Sequence, residues 1–212
     1  GAASAALAAA GALPVAMDLS RDMLAWEAAA RPPCAVADVR ALPIAAASVD
    51  DTVAAFVLNH LVDPAAGLAE LVRVTRPGGA VLASVFSNES QSDVRDRLDE
   101  VAMEAGWQIP DWYAEMKVIA APLLGSASDM EAAARAAGLT DVAVGERPVD
   151  VGVTEAEQLV QYRFGQAQFA AWLDEIGAER ADDFRRRAAD AIRPIMEPYR
   201  PVVVFLAARR PG

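Results

Sequence analysis

Three ionisable side chains stand where they could handle a polar small molecule: Asp18, Asp38 and His60. Asp18 follows the apolar run Val15-Ala16-Met17, and Asp38 follows Cys34-Ala35-Val36-Ala37. An ionised carboxylate only accepts hydrogen bonds. Held at a strand end, it suits the two hydroxyls of a ribose or the exocyclic amine of an adenine. Taken singly, either aspartate is better explained as a turn or helix-capping residue. His60 is the only histidine and titrates near neutrality, as a general base should. The plainer alternative is a histidine at a helix start, packed against a neighbouring lid. One histidine and one distant cysteine, Cys34, lack any ligand spacing, so no metal site is expected.

The elements around these residues alternate in type through the first half, the pattern of a parallel sheet covered by helices. Residues 2–11 favour helix, closed by Gly11. A strand over 14–17 runs into Asp18, and Ser20 is a good N-cap for a helix reaching about Ala30, stopped by Pro32 and Pro33. Strands are expected over 34–37 and 52–57, an amphipathic helix over 64–75, a turn at Arg76-Pro77-Gly78-Gly79 and a buried strand over 80–86. In the open α/β sheets that such a pattern builds, ligands meet the carboxyl ends of the strands, where Asp18 and Asp38 fall. Beyond Phe86 the pattern loosens. Helices are expected over 92–105, 128–137, 154–163 and 178–192, with strands over 142–145 and 201–208. Residues 107–124, rich in aromatics and prolines, suggest a lid or substrate wall.

In combination these segments say more than each aspartate alone. Val15-Ala16-Met17-Asp18-Leu19-Ser20-Arg21-Asp22-Met23-Leu24 resembles the second motif of class I S-adenosylmethionine-dependent methyltransferases. Ala37-Asp38-Val39-Arg40-Ala41-Leu42-Pro43 resembles their third motif. Ser48-Val49-Asp50, leading to Ala55-Phe56-Val57-Leu58-Asn59-His60-Leu61, is similar to the strand-four segment, except that Val49 replaces a usual aromatic. Glu70-Leu71-Val72-Arg73-Val74-Thr75-Arg76-Pro77-Gly78-Gly79 is similar to the turn before strand five. The resemblance implies a doubly wound Rossmann-like sheet with an antiparallel last strand and helical lid insertions. It also implies S-adenosylmethionine as cofactor, held by Gly1, Asp18, Leu19, Met23, Asp38, Val39, Ala55 and Phe56. Asp18 would take the ribose, Asp38 the adenine amine and the amide after it a ring nitrogen.

The family's glycine motif, D-x-G-x-G, is absent. Family spacing makes Gly1 the last glycine of that loop and implies a first strand upstream of it. On this reading residues 1–212 form a single domain. Residues 1–87 are its cofactor-binding half; residues 88–212 carry the lid, the acceptor pocket and the closing strands. Trp112, Tyr113 and Tyr162 are candidate acceptor contacts, with Trp107, Phe164, Phe169 and Trp172 as further pocket or core aromatics, and His60 is the candidate base. Two alternatives compete. Tyr113 and Lys117 match the Tyr-x-x-x-Lys pair of NAD(P)-dependent short-chain dehydrogenases, but the supporting upstream serine and an Asn-Ala-Gly turn are missing. A non-catalytic relative that keeps the fold is the other.

Composition narrows the partners. A net charge of −11 and a pI near 4.5 would repel a phosphate backbone, so nucleic acid is not expected. Arg185-Arg186-Arg187 lies among Asp182, Asp183 and Asp190 and reads as a solvated helix face. Hydrophobic residues make up 54% of the chain, but alanine supplies much of that. No run suits a membrane span, and the start lacks the basic leader of a signal peptide. One cysteine excludes an internal disulfide framework and fits a reducing, cytoplasmic compartment. The expected partner is a small-molecule acceptor.

Overall fold

A computed structural model describes residues 1–212 apart from Glu27. Helix α1 (Ala2–Ala9) leads to β1 (Ala16–Asp18), α2 (Arg21–Ala25) and β2 (Cys34–Val36). Then come β3 (Thr52–Ala55), α3 (Pro64–Val74) and β4 (Ala80–Phe86). The second half contains α4 (Asp93–Glu104), α5 (Asp111–Glu115), α6 (Ala127–Ala136), β5 (Thr140–Pro148), α7 (Ala156–Phe164), α8 (Ala167–Ile176), α9 (Ala178–Ile192) and β6 (Val202–Arg209).

The strands form two hydrogen-bonded groups among the described residues. β1 pairs in parallel with β2, and a four-stranded sheet runs in the order β3-β4-β6-β5. β6 lies antiparallel to both β4 and β5, so the last strand enters as the resemblance implied. Alternation along the strands sorts their side chains. Val81, Ala83 and Val85 of β4 join Val204, Leu206 and Ala208 of β6 in one core, under Leu68 and Leu71 of α3 and Met130 and Ala134 of α6. On the opposite face Val53, Leu82, Phe205 and Ala207 line an open groove of about 490 Å³. A second core lies in the helical cap, where α4, α7, α8 and α9 enclose Leu98, Leu159, Phe164, Phe169 and Phe184. α1 buries none of its side chains.

Local signals explain most element ends. Ser20 accepts from Met23 N at 3.2 Å to start α2, and Asp63 accepts from Ala66 N at 3.3 Å to start α3, with Pro64 in its first turn. The Gly78-Gly79 pair is obligatory. Gly78 sits at φ +79°, and a Cβ on Gly79 would stand 2.0 Å from the Asp50 carbonyl.

Elsewhere the structure differs from the expectation. The helix expected to reach Ala30 ends at Ala25, because Trp26 turns extended and its carbonyl accepts from Arg31 Nε at 2.6 Å. β5 spans Thr140–Pro148 rather than 142–145; pairing with β6 extends it past a bulge between Thr140 and Ala143. The 107–124 segment is mostly helical: α5, a π-helical stretch at Met116–Ala120 and a 3₁₀ stretch at Ala121–Leu124. Helix α8 had no counterpart in the sequence reading.

Candidate active site

Asp18 closes β1 opposite Val36, and Asp38 lies two residues beyond β2, so both fall at the carboxyl edge of this parallel pair. Asp18 is exposed, and one of its oxygens accepts from Ser20 N at 2.8 Å. That bond fixes the carboxylate while leaving lone pairs for a ligand. Leu19 and Met23 are exposed beside it and offer apolar surface. Asp38 is held by its own neighbour. Its Oδ1 accepts from Arg40 N at 2.8 Å, and its Oδ2 accepts from Arg40 Nη2 at 2.6 Å. The Arg40 guanidinium and amide pull the Asp38 carboxyl down to about 2, so it is ionised at every physiological pH. A carboxylate has roughly four acceptor positions, so an amine donor would share Asp38 with Arg40.

The loop after Asp38 is anchored from a distance. Glu70 accepts from Leu42 N at 2.9 Å and from Arg73 Nη2 at 2.8 Å. Arg73 also donates to the carbonyls of Ile44 at 2.8 Å and Leu42 at 3.1 Å. The Glu70-x-x-Arg73 spacing puts both side chains on one face of α3, where they position the segment that follows Asp38. Val39 is half-buried under the same core. Gly1 is the exposed residue at the start of α1.

At the end of β3 the backbone turns abruptly. Phe56 has φ +55°, a left-handed conformation uncommon for a bulky residue, and strain of this kind gathers at functional sites. Its amide still donates to Ser84 O at 2.8 Å, and its ring packs on Phe86 with centroids 4.6 Å apart. The 3₁₀ turn Leu58–His60 follows. His60 Nδ1 lies 3.1 Å from Met116 Sδ, in the π-helical stretch. Burial pushes the His60 imidazole below its ordinary value, against the opposing pull of Asp18. The histidine therefore touches Met116 while keeping an exposed face, and lies within electrostatic reach of Asp18.

The aromatic candidates divide. Trp107, Phe164 and Phe169 are core, and the Trp107 indole donates to Gln168 O at 3.1 Å. Trp172 packs edge-on against Phe184. Trp112 and Tyr162 are exposed, and Tyr113 meets Trp112 edge-on. Arg163, a buried guanidinium of the cap, forks onto Asp99 and donates to Gln166. Sequence reasoning missed Arg163, which ties α7 to Asp99 of α4; an arginine in the last turn of a helix gave no sign of its burial.

Among the described residues no helix is long and apolar enough to cross a membrane. Residues 1–83 match a family model described as a methyltransferase domain. The demethylmenaquinone methyltransferase of Mycolicibacterium vanbaalenii is 39% identical over 99 residues, 47% of this chain and 43% of that protein. That of Mycolicibacterium paratuberculosis is 40% identical over 95 residues, 45% and 41% respectively. The matched stretch thus spans less than half the length of these relatives. Haemonchus contortus phosphoethanolamine N-methyltransferase 2, solved with S-adenosyl-L-methionine, superposes over 98% of this chain and 46% of its own, with a TM-score of 0.55 at 18% identity. A Thermotoga maritima S-adenosylmethionine-dependent methyltransferase superposes over 92% of this chain and 72% of its own, with a TM-score of 0.52 at 12% identity. Residues 1–83 are thus similar to a methyltransferase domain, and the chain shares the fold of these two solved methyltransferases.

Proposed function

We propose that this protein transfers a methyl group from S-adenosylmethionine to a small-molecule acceptor in the cytoplasm. One observation carries the reading: Asp18 and Asp38 stand at the carboxyl edge of two parallel strands, with His60 in electrostatic reach of Asp18 and in contact with Met116. The residues suit the cofactor. Asp18 would hold the ribose hydroxyls, Leu19 and Met23 would flank the adenine, and Asp38 would take its amine. Gly1, Val39, Ala55 and Phe56 would line the same cleft. Bound there, the cofactor supplies a methyl group already activated by a sulfonium, so the protein chiefly aligns an in-line attack. The acceptor's lone pair forms the new bond to the methyl carbon, and sulfur keeps the electron pair of the bond that breaks. His60 Nε2, the nitrogen that does not meet Met116, takes the acceptor's proton. Trp112, Tyr113 and Tyr162 would wall the acceptor, with residues 88–212 setting its identity. The relatives' names make a demethylmenaquinone a reasonable first acceptor to assay. The acidic surface argues against nucleic acid.

The test is a pH–rate profile. A neutral base is required, and burial lowers the His60 value, so the acid limb should lie below the ordinary histidine range near 6.5. His60→Gln should lower kcat by roughly 10²-fold, abolish that limb and leave S-adenosylhomocysteine affinity unchanged. A variant with the wild-type rate and limb would remove His60 from the chemistry and leave alignment alone.

A further parallel strand between β1 and β3 belongs to the same proposal. Among the described residues β1 is bonded only to β2 and β3 only to β4, while α1 buries no side chain fully and a sheet face stays open. Strand, helix and parallel strand make the usual crossover unit. Ala16 N bonds toward β2 and Phe56 N toward β4, so by alternation Met17, Val53 and Ala55 aim their amides at the free edges. In hydrogen exchange these three amides should exchange slowly, as paired ones do; exchange at open-loop rates contradicts the added strand.

A further inference from the structure

Asp38 has no acceptor position to spare in the free protein. Its Oδ1 accepts from Arg40 N at 2.8 Å and from Arg40 Nε at 3.0 Å. Its Oδ2 accepts from the same Nε at 3.1 Å and from Arg40 Nη2 at 2.6 Å. Each carboxylate oxygen takes about two donors, so one residue fills both. An incoming amine can share Asp38 only after the guanidinium gives up part of its hold. The backbone around the pair is fixed. Ala41 N donates to Asp38 O at 3.0 Å, closing a tight turn that contains Arg40, and Leu42 N donates to Glu70 at 2.9 Å. The side chains are not fixed in this way: Arg40 is 51% exposed and Asp38 29%, so the fork can open without disturbing the fold. A second carboxylate can receive the guanidinium. Asp63, the N-cap of α3, lies within its electrostatic reach. Asp63 is exposed, and among the described residues its side chain accepts only from Ala66 N, at 3.3 Å, which leaves acceptor positions open.

We infer that Arg40 is a latch on the adenine subsite: in the free protein its guanidinium stands where the exocyclic amine binds, and cofactor entry turns it from Asp38 toward Asp63. The inference rests on the methyl-transfer reading and adds a residue that sets cofactor affinity without touching the reacting atoms. An exposed ion pair is weak, so the latch lowers affinity a few-fold and does not close the site. Its effect falls on ligands with an amine at that position. A purine without the amine leaves the fork undisturbed.

The experiment titrates five proteins: wild type, Arg40→Met, Arg40→Lys, Asp63→Asn, and Arg40→Met combined with Asp63→Asn. The ligands are S-adenosylhomocysteine and its analogue without the 6-amine. Methionine keeps an apolar stem without the charge, and asparagine keeps the helix cap. Tm should change little in each variant, because the pair is exposed. Arg40→Met should bind S-adenosylhomocysteine about two- to fivefold more tightly than wild type, the size expected of an exposed ion pair. Arg40→Lys keeps the charge without the fork and should fall between them. Asp63→Asn should bind about twofold more weakly than wild type, and should have no effect once Arg40 is replaced. The analogue should bind all five proteins equally well. Equal or weaker S-adenosylhomocysteine binding by folded Arg40→Met overturns the inference, since Arg40 would then steady Asp38 and not compete for it. An equal gain for the analogue overturns it too, because the effect would then be one of general charge. A loss in Asp63→Asn that persists in the double variant overturns the swing toward Asp63. A wild type that binds neither ligand removes the methyl-transfer reading as well.

Discussion

Arg163→Met should cost about 3–5 kcal/mol of folding stability, the scale for breaking a buried ion pair by removing one partner. The Arg163 side chain is 5% exposed and Asp99 is 25% exposed. Arg163 Nε donates to one Asp99 oxygen at 2.7 Å while Nη2 reaches the other, a fork that matches the carboxylate. Nη1 donates to Gln166 Oε1 at 2.6 Å, and the guanidinium carbon lies 5.1 Å from the centre of the Phe169 ring. Burial opposes the charge, but the Asp99 carboxylate outweighs it, and the guanidinium holds its proton more tightly than usual. Taking the arginine away leaves Asp99 charged and partly desolvated at the edge of the cap core. In a domain of this size the loss corresponds to a Tm lowered by roughly 10 °C. Asp99→Leu in the same chain should recover most of it, since an apolar pair can replace a buried ion pair at little cost. Thermal melts of the single and double variants check both halves; a double variant no more stable than the single contradicts the buried-pair account.

How much of this was legible follows from the range over which each signal acts. α3 and its turn were readable because the apolar stripe of Leu68, Leu71 and Val72 and the Gly78-Gly79 pair are local signals. The antiparallel entry of β6 came from the family resemblance, since apolar content in 202–209 cannot set strand direction. α8 was missed although Phe169, Leu173 and Ile176 recur at helical spacing; attention to aromatics as pocket walls hid a stripe that belongs to the cap core. At Asp38 the motif was legible and its electrostatics were not. Arg40 stands two residues on in the quoted segment, yet its bidentate hold on the carboxylate depends on the bend after β2. The Arg163–Asp99 pair, 64 residues apart in sequence, exists only once the chain is packed.

The most direct measurement is the affinity of S-adenosylhomocysteine for the protein before and after Asp18→Ala, by isothermal titration. Asp18 is the carboxylate on which the ribose assignment rests. It is exposed and pre-oriented by Ser20 N at 2.8 Å, so its removal leaves the fold's hydrogen bonds almost untouched. Losing hydrogen bonds from two hydroxyls to a charged acceptor should weaken binding by about 1–3 kcal/mol, or roughly five- to 150-fold. Wild type should bind and the folded variant should bind that much more weakly. Equal affinity in a folded Asp18→Ala protein would contradict the assignment of this strand end as the cofactor site.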